Sequence, residues 1–292
     1  MDTSYISVLI FLITTILFYL VLKPKMNVNT LNDAALMGKY ATNKYMGLGI
    51  YLVLVVVTQF AINAYYVINT CGGSSTTNIG YAFIVTFIPW IFIFGILIVV
   101  LIIFPGMKSA FSNVVGYFIV ASSANGIMTE LLVNTDVSRS IKDDTSLTPE
   151  QKLSYQTAAD AIIKLCGNMS ILINQIVPEN FNKIWTSILT PLMKEQYQPT
   201  INNGVPTENP AALGLKQKLL NIVILRDNIG EGMWFLYTAI LLTSIVQYKI
   251  TSRGCVQDLK DIQLNQQNYL KELGVKTAAN EKAKDMVYTL ST

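Results

Sequence analysis

Four stretches of this chain, Tyr5 to Leu22, Met46 to Ile68, Tyr81 to Phe104 and Met233 to Tyr248, contain no Asp, Glu, Lys or Arg. A hydrocarbon layer about 30 Å thick needs roughly 20 apolar residues at 1.5 Å rise each. The second and third stretches meet that length outright. Tyr5 to Leu22 is at the lower limit and is followed by Lys23 and Lys25, whose stems can reach the headgroups. With Asp2 before it and Lys-Pro-Lys after it, it reads as an anchor and not as a cleaved leader. Met233 to Tyr248 is shorter, but Trp234, Tyr237 and Tyr248 mark its ends as interfacial aromatics would.

All 21 basic and 18 acidic residues therefore lie elsewhere, although the chain as a whole is only 13% charged, against about 25% in ordinary soluble domains. Two materials share one chain, which excludes both a single soluble domain and a disordered protein. The expected fold class is all-α: a polytopic helical membrane protein of about four transmembrane helices. Residues 1–104 form a three-span region with short loops, 105–232 a helical extramembrane domain, 233–250 the fourth transmembrane helix and 251–292 a polar, weakly amphipathic helical tail.

Lys23, Lys25, Lys39 and Lys44 fill the first loop, whereas Asn69 to Gly80 has no basic residue. Positive charge favours the cytoplasmic side, which puts the domain there and the tail on the side of the N-terminus. Lys249 and Arg253 oppose that placement, and a fifth span through Val114 to Val133 would remove the conflict. Ser122, Ser123, Asn125 and Glu130 inside that segment favour four. Pro89, a third of the way into the third span, predicts a kink by removing one backbone hydrogen bond. Gln59 and Asn63, one helical turn apart, are expected to hydrogen-bond a neighbouring helix.

Within 105–232, Phe104-Pro105-Gly106 ends the third span in a turn. Thr148-Pro149-Glu150-Gln151 carries a helix N-terminal signature, and the following apolar stripe runs through Leu172 and Ile176 to a stop at Pro178. A second helix uses Phe181, Ile184, Trp185, Ile188 and Leu189. A loop from Pro199 to Glu208 leads to a third, started by Asn209 and Pro210, with Leu213, Leu220, Val223 and Ile224 as its face. Asp143-Asp144 reads as a solvated loop. Asn168-Met169-Ser170 fits the glycosylation pattern but, on the cytoplasmic side, is expected to be chance.

The chain has no histidine and three cysteines. Imidazole catalysis, His-containing zinc sites and the usual haem ligation are excluded, and Cys71, Cys166 and Cys255 form no metal-type pair. No phosphate loop or nucleophile elbow is present. We expect no enzymatic activity and neither a cofactor nor a metal, and at a net charge of +3 no nucleic-acid partner. Cys71 and Cys255 each lie just beyond a span end on the same side. A disulfide between them is geometrically allowed, with two free thiols as the alternative.

The run FPGMKSAFSNVVGYF after IPWIFIFGILIVVLI carries Phe104, Pro105, Gly106, Phe111, Ser112, Asn113, Gly116 and Tyr117. It resembles the multi-span membrane and minor capsid proteins of nucleocytoplasmic large DNA viruses, the giant viruses. The last span, IGEGMWFLYTAILLTSIVQYKITSRGC, is similar to that family's end. Met107 departs from the pattern, which has a large aromatic there. The resemblance implies a structural virion protein in the internal membrane beneath the capsid, linking the bilayer to capsid or minor capsid proteins during capsid assembly. The alternative expectation, raised by Pro89, Gln59 and Asn63, is a small multi-span transporter or channel.

Overall fold

The computed structural model describes residues 3–71, 76–132, 148–150, 169–202, 205–256, 262–264 and 266–277. The protein is an all-α polytopic helical protein in which, among the described residues, five helices are long and apolar enough to cross a membrane. These are α1 (Ser4–Leu22), α3 (Ala34–Thr70), α4 (Thr76–Ile103), α5 (Pro105–Leu131) and α8 (Pro210–Arg253). Between them lie the short helices α2 (Val28–Asn32), α6 (Met169–Gln175) and α7 (Phe181–Ile184). The Pro199 to Glu208 segment, expected to be a loop, holds a small antiparallel hairpin of β1 (Thr200–Asn202) and β2 (Val205–Thr207).

Two apolar cores are stacked along α8. Phe11, Tyr51, Trp90, Phe94, Phe235, Leu242 and Val246 belong to the first, built from α1, α3, α4 and the C-terminal half of α8. Phe11, Trp90 and Phe94 meet ring to ring, with centroids 5.5 to 5.8 Å apart. The second core joins Met128 and Leu131 of α5, Leu172 and Ile173 of α6, Phe181 and Trp185, and Leu215, Leu219 and Val223 from the N-terminal half of α8. The expected faces of 169–189 are largely those buried, but Leu213 is exposed while Leu215 and Leu219 are inside. Register along α8 is set by docking on α5, which the local pattern of apolar residues does not encode.

The third domain helix and the fourth span, expected as separate elements, are one continuous helix of 44 residues. At 1.5 Å per residue it is about 66 Å long, over twice the hydrocarbon thickness, so half of it must lie outside the bilayer. Asn209 caps it, its side chain accepting from the Ala211 N–H, and Pro210 occupies the first turn. Asp33 likewise caps α3 through Ala35 and Leu36, so α3 starts well before the apolar run at Met46. Pro89 retains helical dihedrals, φ −62° and ψ −40°, and its distortion takes the form of a π turn at Trp90–Phe94, a common local adjustment of membrane helices.

Cys71 and Cys255 are joined by a disulfide with a Cα–Cα distance of 5.3 Å. Such a link cannot reach across about 30 Å of hydrocarbon, so the chain between them crosses an even number of times. Among the described residues three candidate helices, α4, α5 and α8, lie in that interval, and an even number of crossings by them leaves one that does not cross. The contacts identify α5. It packs antiparallel on the N-terminal half of α8, with Lys108 on Asp227 near one end and Met128 in one core with Ala212 and Leu215 near the other. Among the described residues four crossings remain, and α5 continues outward from the end of α4.

Candidate functional site

Charge returns to the chain where the two cores meet. Lys23, directly after the first apolar run, places its ammonium 3.1 Å from both Glu231 carboxylate oxygens. Lys108, just past the third run, meets Asp227 at 2.6 Å. The side chains are nearly enclosed, with exposures of 7% and 5% in the first pair and 3% and 11% in the second. Burial draws the Lys23 ammonium below its ordinary range, and the Glu231 carboxylate beside it opposes that shift. Lys23 also lies over the Tyr19 ring, 4.9 Å from its centroid.

Arg226 belongs to the same layer and is fully buried. Its guanidinium donates to the backbone carbonyls of Ile173 and Ile176, the latter at 2.6 Å. Those carbonyls lie at the C-terminal end of α6, where the Ile173 carbonyl also accepts from the Ile176 N–H and a cation complements the helix dipole. This ties α6 to α8. On the outer side of the second core, Glu208 accepts from the Lys216 ammonium at 2.6 Å and from the Trp185 indole at 2.9 Å.

The motif around Phe104 to Tyr117 is the other half of this junction. Pro105–Lys108 is a 3-10 turn and Ser112–Gly116 a π turn. The Met107 carbonyl accepts from the Trp234 indole at 2.9 Å, and the Phe111 ring meets Trp234 edge-on at 5.1 Å. The Asn113 carbonyl accepts from Asn174, and Tyr117 packs on the second core. Two glycines set the approach of the helices. A Cβ on Gly116 would lie 2.7 Å from the Arg226 carbonyl oxygen, and one on Gly230 would lie 2.7 Å from both the Lys108 carbonyl oxygen and Ser112 Cβ. No other side chain fits there without separating α5 from α8. Phe104, Pro105 and Gly106 form the exposed corner.

Gln59 and Asn63 are committed to neighbouring helices. Gln59 accepts from the Ser7 hydroxyl at 2.7 Å and donates to the Ser7 carbonyl at 3.0 Å. Asn63 donates to Thr86 at 2.8 Å and accepts from Gln247 at 2.7 Å. At the opposite end of the spans, the disulfide is reinforced by Asn78, which donates to the Val256 carbonyl and accepts from its N–H. Arg253 lies over the Tyr81 ring at 3.9 Å. The residues 266–277 are helical and exposed throughout.

The sequence reading missed the ion pairs. Their signal was available: lysines flank two apolar runs just where Glu231 and Asp227 precede a third, at one membrane depth and with opposite sign. Glu130 of the domain takes a hydrogen bond from Tyr197. Asp143, Asp144, Cys166, Asn168, Gln151 and most of the stripe before Leu172 lie outside the described residues. Among the described residues no group of three His, Cys, Asp or Glu could hold a metal ion. No protein-family model, curated protein or solved structure matches the chain.

Proposed function

We propose that this chain is a structural membrane protein whose work is attachment: it holds a helical domain rigidly against one face of a bilayer. The observation that carries the reading is α8, whose two halves belong to different cores with no break between them. A domain fused in this way, and locked by buried ion pairs and a close α5–α8 contact, transmits its position to the membrane without a flexible linker. Attachment of this kind involves binding alone and no chemical step.

The resemblance of the Phe104 to Tyr117 motif supplies the partner in this proposal. The domain would face capsid or minor capsid proteins, with the bilayer being the internal membrane of a giant-virus particle. Support for attachment over transport comes from Gln59 and Asn63, whose polar groups are taken up by Ser7, Thr86 and Gln247. The test is quantitation in purified virions and in host membranes. A fixed copy number per particle supports the reading, and a protein confined to infected-cell membranes and absent from particles overturns it.

A further inference from the structure

The tail leaves the bundle at a fixed point. Tyr248 ends the apolar run of α8 and is exposed at 70%, as an interfacial aromatic is. From there α8 runs on only to Arg253, about 7.5 Å at 1.5 Å per residue, and one headgroup layer is about 5 to 8 Å thick. Gly254 then ends the helix with a φ of 69°, which favours glycine. Cys255 is bonded to Cys71, and the Asn78 side chain takes both the Val256 N–H, at 3.1 Å, and the Val256 carbonyl, at 2.9 Å. Asn78 is only three residues before Tyr81, where the apolar run of α4 begins. The chain is thereby drawn off α8 and pinned on the first turn of α4, at headgroup depth, before the tail helix starts.

Residues 257–261 separate Val256 from Ile262, and a chain that spans at most about 3.6 Å per residue keeps Ile262 within about 22 Å of the pin. Residues 266–277 are helical and exposed throughout. A helix of that length is marginal in water by itself, so it needs a surface. Gln266, Tyr269, Leu270, Leu273 and Thr277 lie on one side at helical spacing, and Ile262, in the helical stretch 262–264, extends the row by one turn. Tyr269, Leu270 and Leu273 are exposed at 64%, 58% and 41%. Gln267, Asn268 and Lys271 are on the other side, with Leu264 and Val275 among them, and Lys276 flanks the apolar row.

We propose that the tail helix lies flat in the leaflet opposite the domain, with Ile262, Tyr269, Leu270 and Leu273 toward the acyl chains and Lys271 toward water. A stable protein partner takes about 20–30 residues from each side, far more than this row offers. A bilayer accepts a short row, whose apolar side sinks about 5–10 Å into the boundary of headgroups and acyl chains. The pin at Val256 supplies the rest: a helix tethered at the surface meets the bilayer as an intramolecular event, for which a weak partition suffices. Lys271 and Lys276 against Glu272 leave 262–277 with a net charge of only +1, so apolar burial and not anionic lipid carries the contact. Laid there, the helix is a foot on the far leaflet that resists tilting of α8. The proposal rests on the chain spanning a bilayer and not on the capsid partner, and absence of the protein from virions would leave it intact.

The experiment uses the full chain in phosphatidylcholine nanodiscs, with photoreactive benzoylphenylalanine replacing either Leu273 on the apolar side or Lys271 on the other, and the disulfide confirmed in each. After irradiation, lipid adducts from position 273 are expected at about tenfold the yield from position 271, since the two sides of the helix differ by about 10 Å in depth. Equal lipid adducts from both positions, none from position 273, or adducts from position 273 to a second copy of the chain overturn the proposal. Hydrogen exchange gives a reading that relies on no labelled variant. In the unmodified chain the amides of 266–277 are expected to exchange about tenfold more slowly than in L270S/L273S, which loses most of the apolar row. Exchange of the unmodified chain at the rate of an unstructured peptide overturns the proposal.

Discussion

The two halves of α8 show the same backbone meeting two solvents. Along the N-terminal half the outward positions include Lys218 and Asn221, and the inward ones Leu215, Leu219 and Val223. Along the C-terminal half the outward positions are Tyr237, Ile240, Leu241, Ile245 and Tyr248, while Thr243 and Gln247 are inside. Both halves bury apolar side chains, but the outward face turns from mixed polar to predominantly apolar across one layer, 226–231, which contains Arg226, Asp227 and Glu231. A water-facing core gains from burying apolar area. A lipid-facing core has no such difference to exploit and is held by packing and by polar side chains that satisfy one another. The boundary layer must serve both, and its charges are enclosed by protein on both sides.

That contrast is broken most severely by leaving a charge alone in the layer. K108M leaves Asp227 buried without a partner and is expected to destabilise the domain by about 3–5 kcal/mol. The double variant K108M/D227L removes both charges and should recover most of that loss. Midpoints of chemical denaturation in detergent, taken as a double-mutant cycle, provide the check; equal loss in both variants would show that a buried Asp227 without its partner is not what destabilises K108M.

Loss of the Cys71–Cys255 link acts on the far end of the lipid-facing half. The disulfide closes a loop with a sequence separation of 184 residues, and C71S is expected to lower stability by about 2–4 kcal/mol. Non-reducing peptide mapping should recover the two cysteine peptides joined, and both thiols alkylatable without reduction would contradict the pairing. Because the link also fixes the parity of crossings, protease protection of intact membranes should place residues 169–232 and residues 266–277 on opposite sides.

The apolar anchors, the facing cysteines and the interhelical roles of Gln59 and Asn63 were legible in the sequence, because each rests on a short-range property: run length, position at a span end, one helical turn of spacing. The continuity of α8 was not. Apolar residues form its inward face throughout, but beyond Glu231 they also cover its outward face, so a local pattern divides it into two elements. The ion pairs left opposite charges at the ends of apolar runs as a signal, but which lysine meets which acid was not encoded, since Lys23 and Glu231 are distant in sequence and meet only because the helices bring span ends to one depth. Gly116 and Gly230 carry no signal alone; their role exists only once α5 lies on α8.

Those glycines offer a milder break in the same layer. In G230A the added methyl would meet Ser112 Cβ and the Lys108 carbonyl oxygen, and the helices must move apart at a cost of about 1–3 kcal/mol. The loss should be confined to the junction, read as faster proteolysis of 105–131 with the spans still protected. Unchanged cleavage would show that the α5–α8 contact is looser than the structure places it.

The smallest effect separates lipid-facing glue from a transport site. N63L removes hydrogen bonds to Thr86 and Gln247, and interhelical bonds of this kind average about 0.6 kcal/mol because the separated helices find other partners. The expected outcome is a slight fall in thermal midpoint in detergent, with retained disulfide and unchanged domain protection. Flux assays in liposomes sharpen the comparison. A structural Asn63 predicts no ion or solute flux in either the unmodified or the N63L protein, whereas flux lost on N63L would turn the lipid-facing core from an anchor into a pathway. The two readings differ in what Asn63 faces: its amide is bonded to Thr86 and Gln247 on neighbouring helices and is buried at 2% exposure, so its remaining amide hydrogen and lone pair are closed to a passing solute unless the helices move apart.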